Sequence, residues 1–204
     1  TLERFVGDAV GNCHPVLFSD ADYAGDQITA KSTSGCYLAI VGPDTFAPIT
    51  ASCNIQVCVS HSPTGSVICV AEDGIRTEGL HAMAFWKPAA ELLRTDKPDD
   101  PGETQCATPN AIEMNPYSAQ FEPGNYFACT RKRAHTTCLK IAEDNEAVIK
   151  IIAKARSMSL RHLPRTHRID VHWLFDVCSH PRVRMLHVTT KQQIADLMTK
   201  AHTN

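Results

Sequence analysis

The first half of the chain alternates between short apolar runs and a longer stretch with helical periodicity. Apolar runs bounded by turn residues over 15–20, 34–41 and 45–60 predict three strands of an antiparallel meander, the third broken or bulged between 45–50 and 55–60. From 66 to 93 apolar residues recur at helical spacing, and Gly79 and Pro88 predict interruptions in that helix.

The second half has the pattern of strands that alternate with helices. It predicts a strand over 136–142, a helix over 145–156, a second helix over 166–178 separated from it by Pro164, a strand over 184–189 and a final helix over 191–201. The predicted fold class is α/β. We expect a mixed five-stranded sheet, three antiparallel strands followed by parallel ones, with the first strand central and helices on its faces.

The stretch from 95 to 130 interrupts this order, because it is rich in proline and shows no sustained period. We therefore predict one elaborated domain in two parts. An N-terminal tail covers 1–14, the first part of the domain 15–94, a loop or disordered insertion 95–135, and the second part 136–204.

Composition narrows the class of protein. With 204 residues and 43% hydrophobic residues, the chain can bury one sizeable core. It has no apolar stretch long enough to span a membrane, no signal peptide and no initiator Met, which predicts an intracellular fragment, cytoplasmic or nuclear, from the C-terminal end of a longer protein.

Nine cysteines without a Cys-x-x-Cys pair favour free thiols over zinc. Four among apolar neighbours are predicted to be small buried hydrophobes: Cys36, Cys58, Cys69 and Cys178.

Charge is close to balanced overall but not locally. The net charge of −2 argues against a chain that binds nucleic acid through the electrostatic field of the whole molecule. One stretch, 154–168, is basic, however. Two interpretations carry equal weight: it faces the phosphates of a nucleic acid, or it is a solvated helix end and loop. Its candidate nucleic-acid-binding residues are Lys154, Arg156, Arg161, Arg165, His167 and Arg168.

Three aspartates lie at the edges of apolar segments far apart in the sequence. Asp20 and Asp144 follow or end predicted strands, and Asp196 lies in the last predicted helix. Carboxylates gathered by a fold repel one another and are costly to desolvate unless a divalent cation or a donor compensates them. Together they indicate a metal site, although a single Asp at a strand end is more often a cap.

Four motifs surround these aspartates. They read Ser19-Asp-Ala-Asp-Tyr-Ala-Gly-Asp26 followed by Lys31-Ser-Thr-Ser-Gly35, then Glu143-Asp-Asn-Glu-Ala-Val148, Arg165-Thr-His-Arg-Ile-Asp170 and Thr190-Lys-Gln-Gln-Ile-Ala-Asp-Leu-Met-Thr-Lys200. In this order they resemble the ribonuclease H (RNase H) domain at the C-terminal end of Ty1/copia-type retrotransposon Pol polyproteins. The resemblance covers about 15–60 and 136–201.

The resemblance implies an RNase H fold and hydrolysis of the RNA strand of an RNA/DNA hybrid by two Mg²⁺ (or Mn²⁺) ions. Hard oxygen ligands suit Mg²⁺, and ions roughly 3.5 to 4 Å apart serve the attacking water and the leaving oxygen. Carried over by motif, Asp20, Asp144 and Asp196 are the metal ligands and catalytic residues. The implied partners are the hybrid and an upstream reverse transcriptase domain of the same polyprotein, with no membrane.

The fourth ligand of the family does not match. The family's Ser-Ser-Thr-Glu-x-Glu pattern aligns with 60–67, where the two glutamates become Gly65 and Val67. Glu72 and Asp73 are five and six residues further on, about 7 to 9 Å along a helix. We therefore expect an impaired enzyme that retains ligands for one ion.

Two alternatives remain. One is a noncatalytic RNase H-like module that binds nucleic acid or supports a neighbouring reverse transcriptase. The other is an integrase or transposase core, which also collects acidic ligands on this scaffold; the closing motif at 190–200 argues against it.

Overall fold

The computed structural model describes residues 7–93, 138–156, 160 and 163–200. Its strands are β1 (His14–Asp22), β2 (Thr33–Val41), β3 (Phe46–Ile55), β4 (Leu139–Glu143) and β5 (Val183–His187). They form one sheet in the order β3-β2-β1-β4-β5, with β1–β2 and β2–β3 antiparallel and β1–β4 and β4–β5 parallel. The predicted mixed α/β sheet with a central first strand is confirmed. The predicted insertion at 95–135 lies outside the described residues.

Helices lie against both faces of the sheet. They are α1 (Pro63–Gly74), continued through a π-helical turn (Ile75–Gly79) into α2 (Leu80–Leu93), then α3 (Glu146–Ala153), α4 (Leu163–Thr166), α5 (Val171–Cys178) and α6 (Asp196–Thr199), with 3₁₀ turns at Val10–Asn12 and Thr190–Gln192. Among the described residues, no helix is long and apolar enough to cross a membrane.

The alternation of side chains along β1 divides the core between the two faces. Leu17 belongs to the larger cluster, with Ile68 of α1 and Ile152 of α3. Val16 and Phe18 belong to a smaller cluster on the other face, next to Ala195 before α6. Because both faces of β1 are buried, its position and register are fixed by packing on two sides.

The third strand differs from the prediction at its second half. β3 is continuous to Ile55, and the register against β2 shifts between Leu38 and Ala39, which are paired with Thr50 and Pro48. The extra residue, Ile49, is a bulge, and Pro48 is tolerated because β3 is an edge strand. A break or bulge was predicted between 45–50 and 55–60, but the bulge lies at Ile49, and the predicted strand over 55–60 is wrong because β3 ends at Ile55.

The long helix begins earlier than predicted and is not broken at Pro88. Ser62 caps α1, accepting a hydrogen bond from the backbone N–H of Gly65 at 3.0 Å, and Pro63 takes the first helical position. The predicted irregularity at Gly79 is present as the end of the π-helical turn. A Cβ at Gly79 would lie 3.1 Å from the Leu139 side chain, so glycine lets the helix lie close to the sheet.

The C-terminal helices are shorter than predicted. Pro164 lies inside α4 and does not merely separate two helices, and α5 begins at Val171 after Asp170, whose carboxylate accepts hydrogen bonds from two backbone N–H groups of the first turn. The final helix is only the single turn Asp196–Thr199. Gln193 is held in an extended conformation, which prevents one helix over 191–201.

Candidate functional site

The fold brings the three predicted aspartates to one end of the sheet. Asp20 lies near the carboxyl end of β1, and Asp144 directly follows β4, the parallel neighbour of β1. Asp196 opens α6, which packs over the ends of β1 and β2. This is the edge where the carboxyl ends of parallel strands meet and where ligand sites commonly form in α/β sheets.

Asp20 is the most constrained of the three. β1 continues two residues beyond it to Asp22, so Asp20 lies within the strand and not in a following turn. Its Oδ2 accepts a hydrogen bond from the Thr199 hydroxyl at 2.5 Å. Burial raises the pKa of Asp20, the bond from Thr199 lowers it in part, and the neighbouring carboxylates of Asp196 and Asp144 raise it further. The three aspartates are therefore close enough to repel one another.

Lys200 lies among these carboxylates. Its ammonium group forms an ion pair with Asp196, and this bond, with smaller contributions from Asp20 and Asp144, raises the pKa of Lys200. Asp144 in turn accepts a hydrogen bond from the Thr190 hydroxyl at 3.0 Å. An internal cation and two hydroxyl donors thus compensate part of the negative charge.

A glycine positions α6 over the strands. Gly35 pairs with Asp20 across β1 and β2. A Cβ at this position would lie 2.7 Å from Cγ2 of Thr199 and 2.9 Å from the Ala195 carbonyl oxygen. Only a residue without a side chain lets the turn that carries Asp196 approach the sheet this closely.

Glu143 is a fourth carboxylate at this edge, and the sequence pattern did not single it out. It is the last residue of β4 and is 0% exposed. Its Oε1 accepts a hydrogen bond from the Asn145 N–H at 3.1 Å. Burial raises the pKa of Glu143 well above the usual range; the Asn145 bond and the Ser19 hydroxyl lower it, whereas Asp144 and Asp20 raise it. A second acidic residue directly before Asp144, at the end of a buried strand, was the available signal.

Gln193 closes the gap between the ends of the two strands. Its amide nitrogen donates to the carbonyl oxygens of Ser19, at 3.0 Å, and Ala142, at 3.3 Å. These residues come directly before Asp20 and Glu143. The side chain therefore ties the 190–200 segment to the point where β1 and β4 cease to pair.

Val67 lies in the core on the face of the sheet that α1 covers. It is 6% exposed and belongs to the larger apolar cluster. Glu72, one turn beyond it, is bonded to Arg76 and to the backbone N–H of Asp170. Neither Val67 nor Glu72 adds an oxygen ligand to the aspartates.

A cleft of 830 Å³ lies along the ends of β2 and β3, at the same end of the sheet as Asp20, although Asp20, Asp144 and Asp196 do not line it. The predicted basic residues Arg165, His167 and Arg168 line it, with Ser34 and Gln56 on the opposite side. Arg168 has a left-handed backbone conformation, φ 56°, which turns the chain toward α5. Since Ser34 directly precedes Gly35, the cleft begins one residue from the partner of Asp20.

Cys58 lies in this cleft and corrects a prediction. It is partly exposed, and its thiol lies 3.1 Å from the Thr166 carbonyl oxygen. Cys36, Cys69 and Cys178 are buried as predicted. Burial raises the pKa of each of these three thiols to about 12, which fits small core residues.

The other predicted basic residues are not brought to the cleft. Lys154 and Arg156 are exposed beyond the end of α3, about 12 Å along the helix axis from its first turn, and they do not line it. Arg161 lies outside the described residues. The structure thus divides the described part of the basic stretch, of which the 165–168 segment lines the cleft and Lys154 and Arg156 do not.

The oxygen atoms at this edge have the chemistry of a hard-cation site. Besides the aspartate oxygens, the edge holds the buried Oε1 of Gln193, which receives no hydrogen bond from any described residue. Such oxygens suit Mg²⁺ or Mn²⁺. Within the described part of the chain, however, no three His, Cys, Asp or Glu side chains already have the arrangement of a formed metal site.

Comparisons with known proteins identify no relative. No protein-family model matches the chain, and no curated protein and no solved structure matches it.

Proposed function

We propose that this chain is an RNase H-like domain of the Ty1/copia type, whose carboxylate edge binds a divalent metal ion and acts on the RNA strand of RNA/DNA hybrids. The observation that supports it is the convergence of Asp20, Asp144 and Asp196, from three distant motifs, at the end of the sheet where a cleft lined by three basic residues also lies. Convergence of three motifs on one edge is what a shared chemical role requires.

In this proposal Asp20, Asp144 and Asp196 hold Mg²⁺ or Mn²⁺, which when bound supplies an activated water and stabilises the leaving oxygen. Arg165, His167 and Arg168 contact phosphates of the hybrid and orient it along the cleft. Thr199 and Thr190 fix the orientation of Asp20 and Asp144 through their hydroxyls. An upstream reverse transcriptase domain is the proposed neighbour in the polyprotein.

Impairment is part of the proposal, because Val67 gives the site no oxygen ligand from α1. Loss of even a supporting residue at a metal site costs roughly 10- to 100-fold, and a missing ligand costs more. A noncatalytic hybrid-binding module is the second candidate, and the burial of Val67 in the apolar core favours it.

The deciding experiment compares cleavage of a labelled RNA/DNA hybrid by the wild-type chain and by Val67→Glu, with Mg²⁺ and with Mn²⁺. Weak cleavage that rises in Val67→Glu supports the impaired enzyme. Salt-sensitive hybrid binding without cleavage by either protein supports the noncatalytic module. Equal, rapid cleavage by both contradicts the impairment, and absence of both binding and cleavage contradicts the proposed function.

A further inference from the structure

The outer side of β3 is an edge of the sheet that is open to a further strand. β3 pairs with β2 on its inner side, where the Gln56 N–H donates to the Ser32 carbonyl oxygen at 2.8 Å just beyond the strand. In an antiparallel pair such bonded positions alternate with unbonded ones. The backbone N–H and C=O groups of every second residue therefore point outward, away from β2. We call these three the outward residues: Ala51, Cys53 and Ile55. Within the described part of the chain, nothing bonds to these outward backbone groups.

The first half of β3 is protected against pairing with another chain, and the second half is not. Natural edge strands are protected by charged side chains, by proline or by a bulge. Pro48 and the bulge at Ile49 protect the first half. From 45 to 60, however, the sequence contains no charged residue. The segment 50–55 therefore has neither a charge nor a bulge that would keep another strand away.

The side chains of the outward residues lie on the same face of the sheet as α6. Cys53 pairs with Gly35, and Gly35 is the glycine that α6 approaches. Ala51 and Cys53 are exposed, Ile55 is 59% exposed, and Val57 just beyond the strand is 86% exposed. Open backbone groups and exposed apolar side chains thus occur on one strand, which is the combination that favours addition of a strand.

A second copy of the same segment fits this edge. Antiparallel pairing about a two-fold axis at Cys53 places Cys53 opposite the partner's Cys53, and Ala51 opposite the partner's Ile55. Every outward N–H and C=O group then has a partner, and each large side chain lies across from a small one. Because the strand is uncharged, the two copies do not repel each other. Such self-complementarity is what a two-fold contact requires.

We propose that two copies of this chain associate through β3, antiparallel and about a two-fold axis at Cys53, so that their five-stranded sheets become continuous. The inference goes beyond the proposed function and does not depend on metal or hybrid binding. One short strand from each copy forms a contact smaller than the roughly 1,200–2,000 Å² of a stable interface. The dimer is therefore weak and depends on protein concentration.

The first test is sedimentation equilibrium of the reduced chain over a series of concentrations. The apparent mass should rise from 22.4 kDa toward twice that value. Cys53→Lys places two ammonium groups opposite each other at the axis and should weaken association at least about tenfold. Cys53→Glu should do the same, whereas an equimolar mixture of the two variants should associate again, because opposite charges then face each other. Ile28→Lys is the control, since Ile28 is 94% exposed and lies outside β3; it should associate as wild type does.

These mass measurements can overturn the inference in three ways. A wild-type chain that stays at 22.4 kDa at every concentration leaves the edge of β3 to a different partner. Association of Cys53→Lys at the wild-type concentration places the contact elsewhere on the molecule. A mixture of the two charged variants that remains monomeric shows that Cys53 does not lie at a two-fold axis.

Hydrogen exchange followed by NMR does not depend on the folding of any variant. Raising the concentration of wild type should slow exchange at the amides of the outward residues. The alternate amides of β3, already bonded to β2, should exchange at the same rate at both concentrations and serve as the internal control. Outward amides that exchange equally fast at low and high concentration would overturn the inference.

Disulfide trapping tests the register. Opposed residues of a bonded antiparallel pair have Cα atoms about 5.5 Å apart, within the roughly 4.4–6.8 Å that a disulfide spans. Diamide, which takes up the two thiol hydrogens, should therefore join Cys53 to the partner's Cys53, as located by peptide mass spectrometry. Cys53→Ser should lose this cross-link but keep the concentration-dependent mass. Cross-links at other cysteines only would show that the register is wrong.

Discussion

The two ends of the central strand β1 both crowd like charges into a poorly solvated setting, but the crowding is relieved differently. At the carboxyl end, Asp20 and Glu143 have raised pKa values because of burial and neighbouring carboxylates. At the amino end, burial and then the charges of Lys140 and Arg184 lower the pKa of His14 to about 4. Desolvation is the leading cause at both ends.

The difference lies in the state of each cluster at neutral pH. His14 is neutral at pH 7 because its pKa lies far below 7, so it adds no positive charge to those of Lys140 and Arg184. The three aspartates at the other end repel one another, and the buried Oε1 of Gln193 there receives no hydrogen bond from the described residues. Crowded like charges are thus not by themselves a site. The carboxyl end differs because three aspartates from separate motifs converge there, at the end of the sheet where the basic cleft also lies.

The largest expected effect is on the carboxyl end. Asp20→Asn removes a proposed ligand, so Mn²⁺ binding measured by calorimetry should weaken by more than the roughly 10- to 100-fold expected for a supporting residue. Stability without metal should be unchanged or higher, because Asn removes a charge that burial disfavours. Opposite changes in affinity and stability are the signature of a functional residue.

Asp22→Asn is the control for this substitution, since Asp22 lies two residues further along the same strand and is exposed. It should change neither quantity. A fall in metal-free stability for Asp20→Asn, with affinity retained, would instead make Asp20 a structural partner of Thr199.

The architecture could be predicted because it depends on patterns that packing obeys. β1 and β4 are buried on both faces. β1 pairs with β2 of the meander on one side and with β4 on the other, so it lies in the centre of the sheet. The boundaries of β3 and of the final helix could not be predicted. They depend on a bulge at Ile49 and on the tertiary hydrogen bonds of Gln193, which no local period encodes.

The aspartates could be identified from motifs, but their environment could not. The i, i+4 spacing of Asp196 and Lys200 is compatible with their ion pair, but nothing in the spacing indicated that the Thr199 hydroxyl donates to Asp20 or that the Thr190 hydroxyl donates to Asp144. These two contacts join residues that only the folded sheet brings together. The basic stretch illustrates the same limit, since 165–168 lines the cleft while Lys154 and Arg156 do not.

The amino end should dominate the response to acid. The folded pKa of His14 lies below the unfolded value of 6.5, so the unfolded chain takes up a proton first and stability is lost as pH falls from 6.5 toward 4. Since one pKa unit corresponds to about 1.4 kcal/mol, the shift of His14 from 6.5 to about 4 accounts for at most roughly 3.5 kcal/mol. His14→Gln should reduce the acid-induced loss measured by denaturant unfolding.

The raised pKa of Asp20 has the opposite sign. Its protonation favours the folded state, so that contribution is present at low pH and is lost as pH rises through the folded pKa. Measuring the free energy of unfolding of His14→Gln and of Asp20→Asn against wild type over the same pH range separates the two contributions. His172→Gln, an exposed histidine of α5, should retain the wild-type profile. An unchanged profile for His14→Gln would mean that the amino end does not govern acid sensitivity.

The smallest expected effect concerns the cation that the carboxyl end already contains. Lys200 is 60% exposed and pairs with Asp196, and exposed ion pairs contribute about 0.2–1 kcal/mol. A divalent ion that draws in Asp196 must displace this ammonium group. Lys200→Met should therefore tighten Mn²⁺ binding by up to about fivefold. Lys191→Met, in the preceding 3₁₀ turn, should have no such effect. Weaker binding in Lys200→Met would show that the ammonium group holds the aspartates together for the metal instead of competing with it.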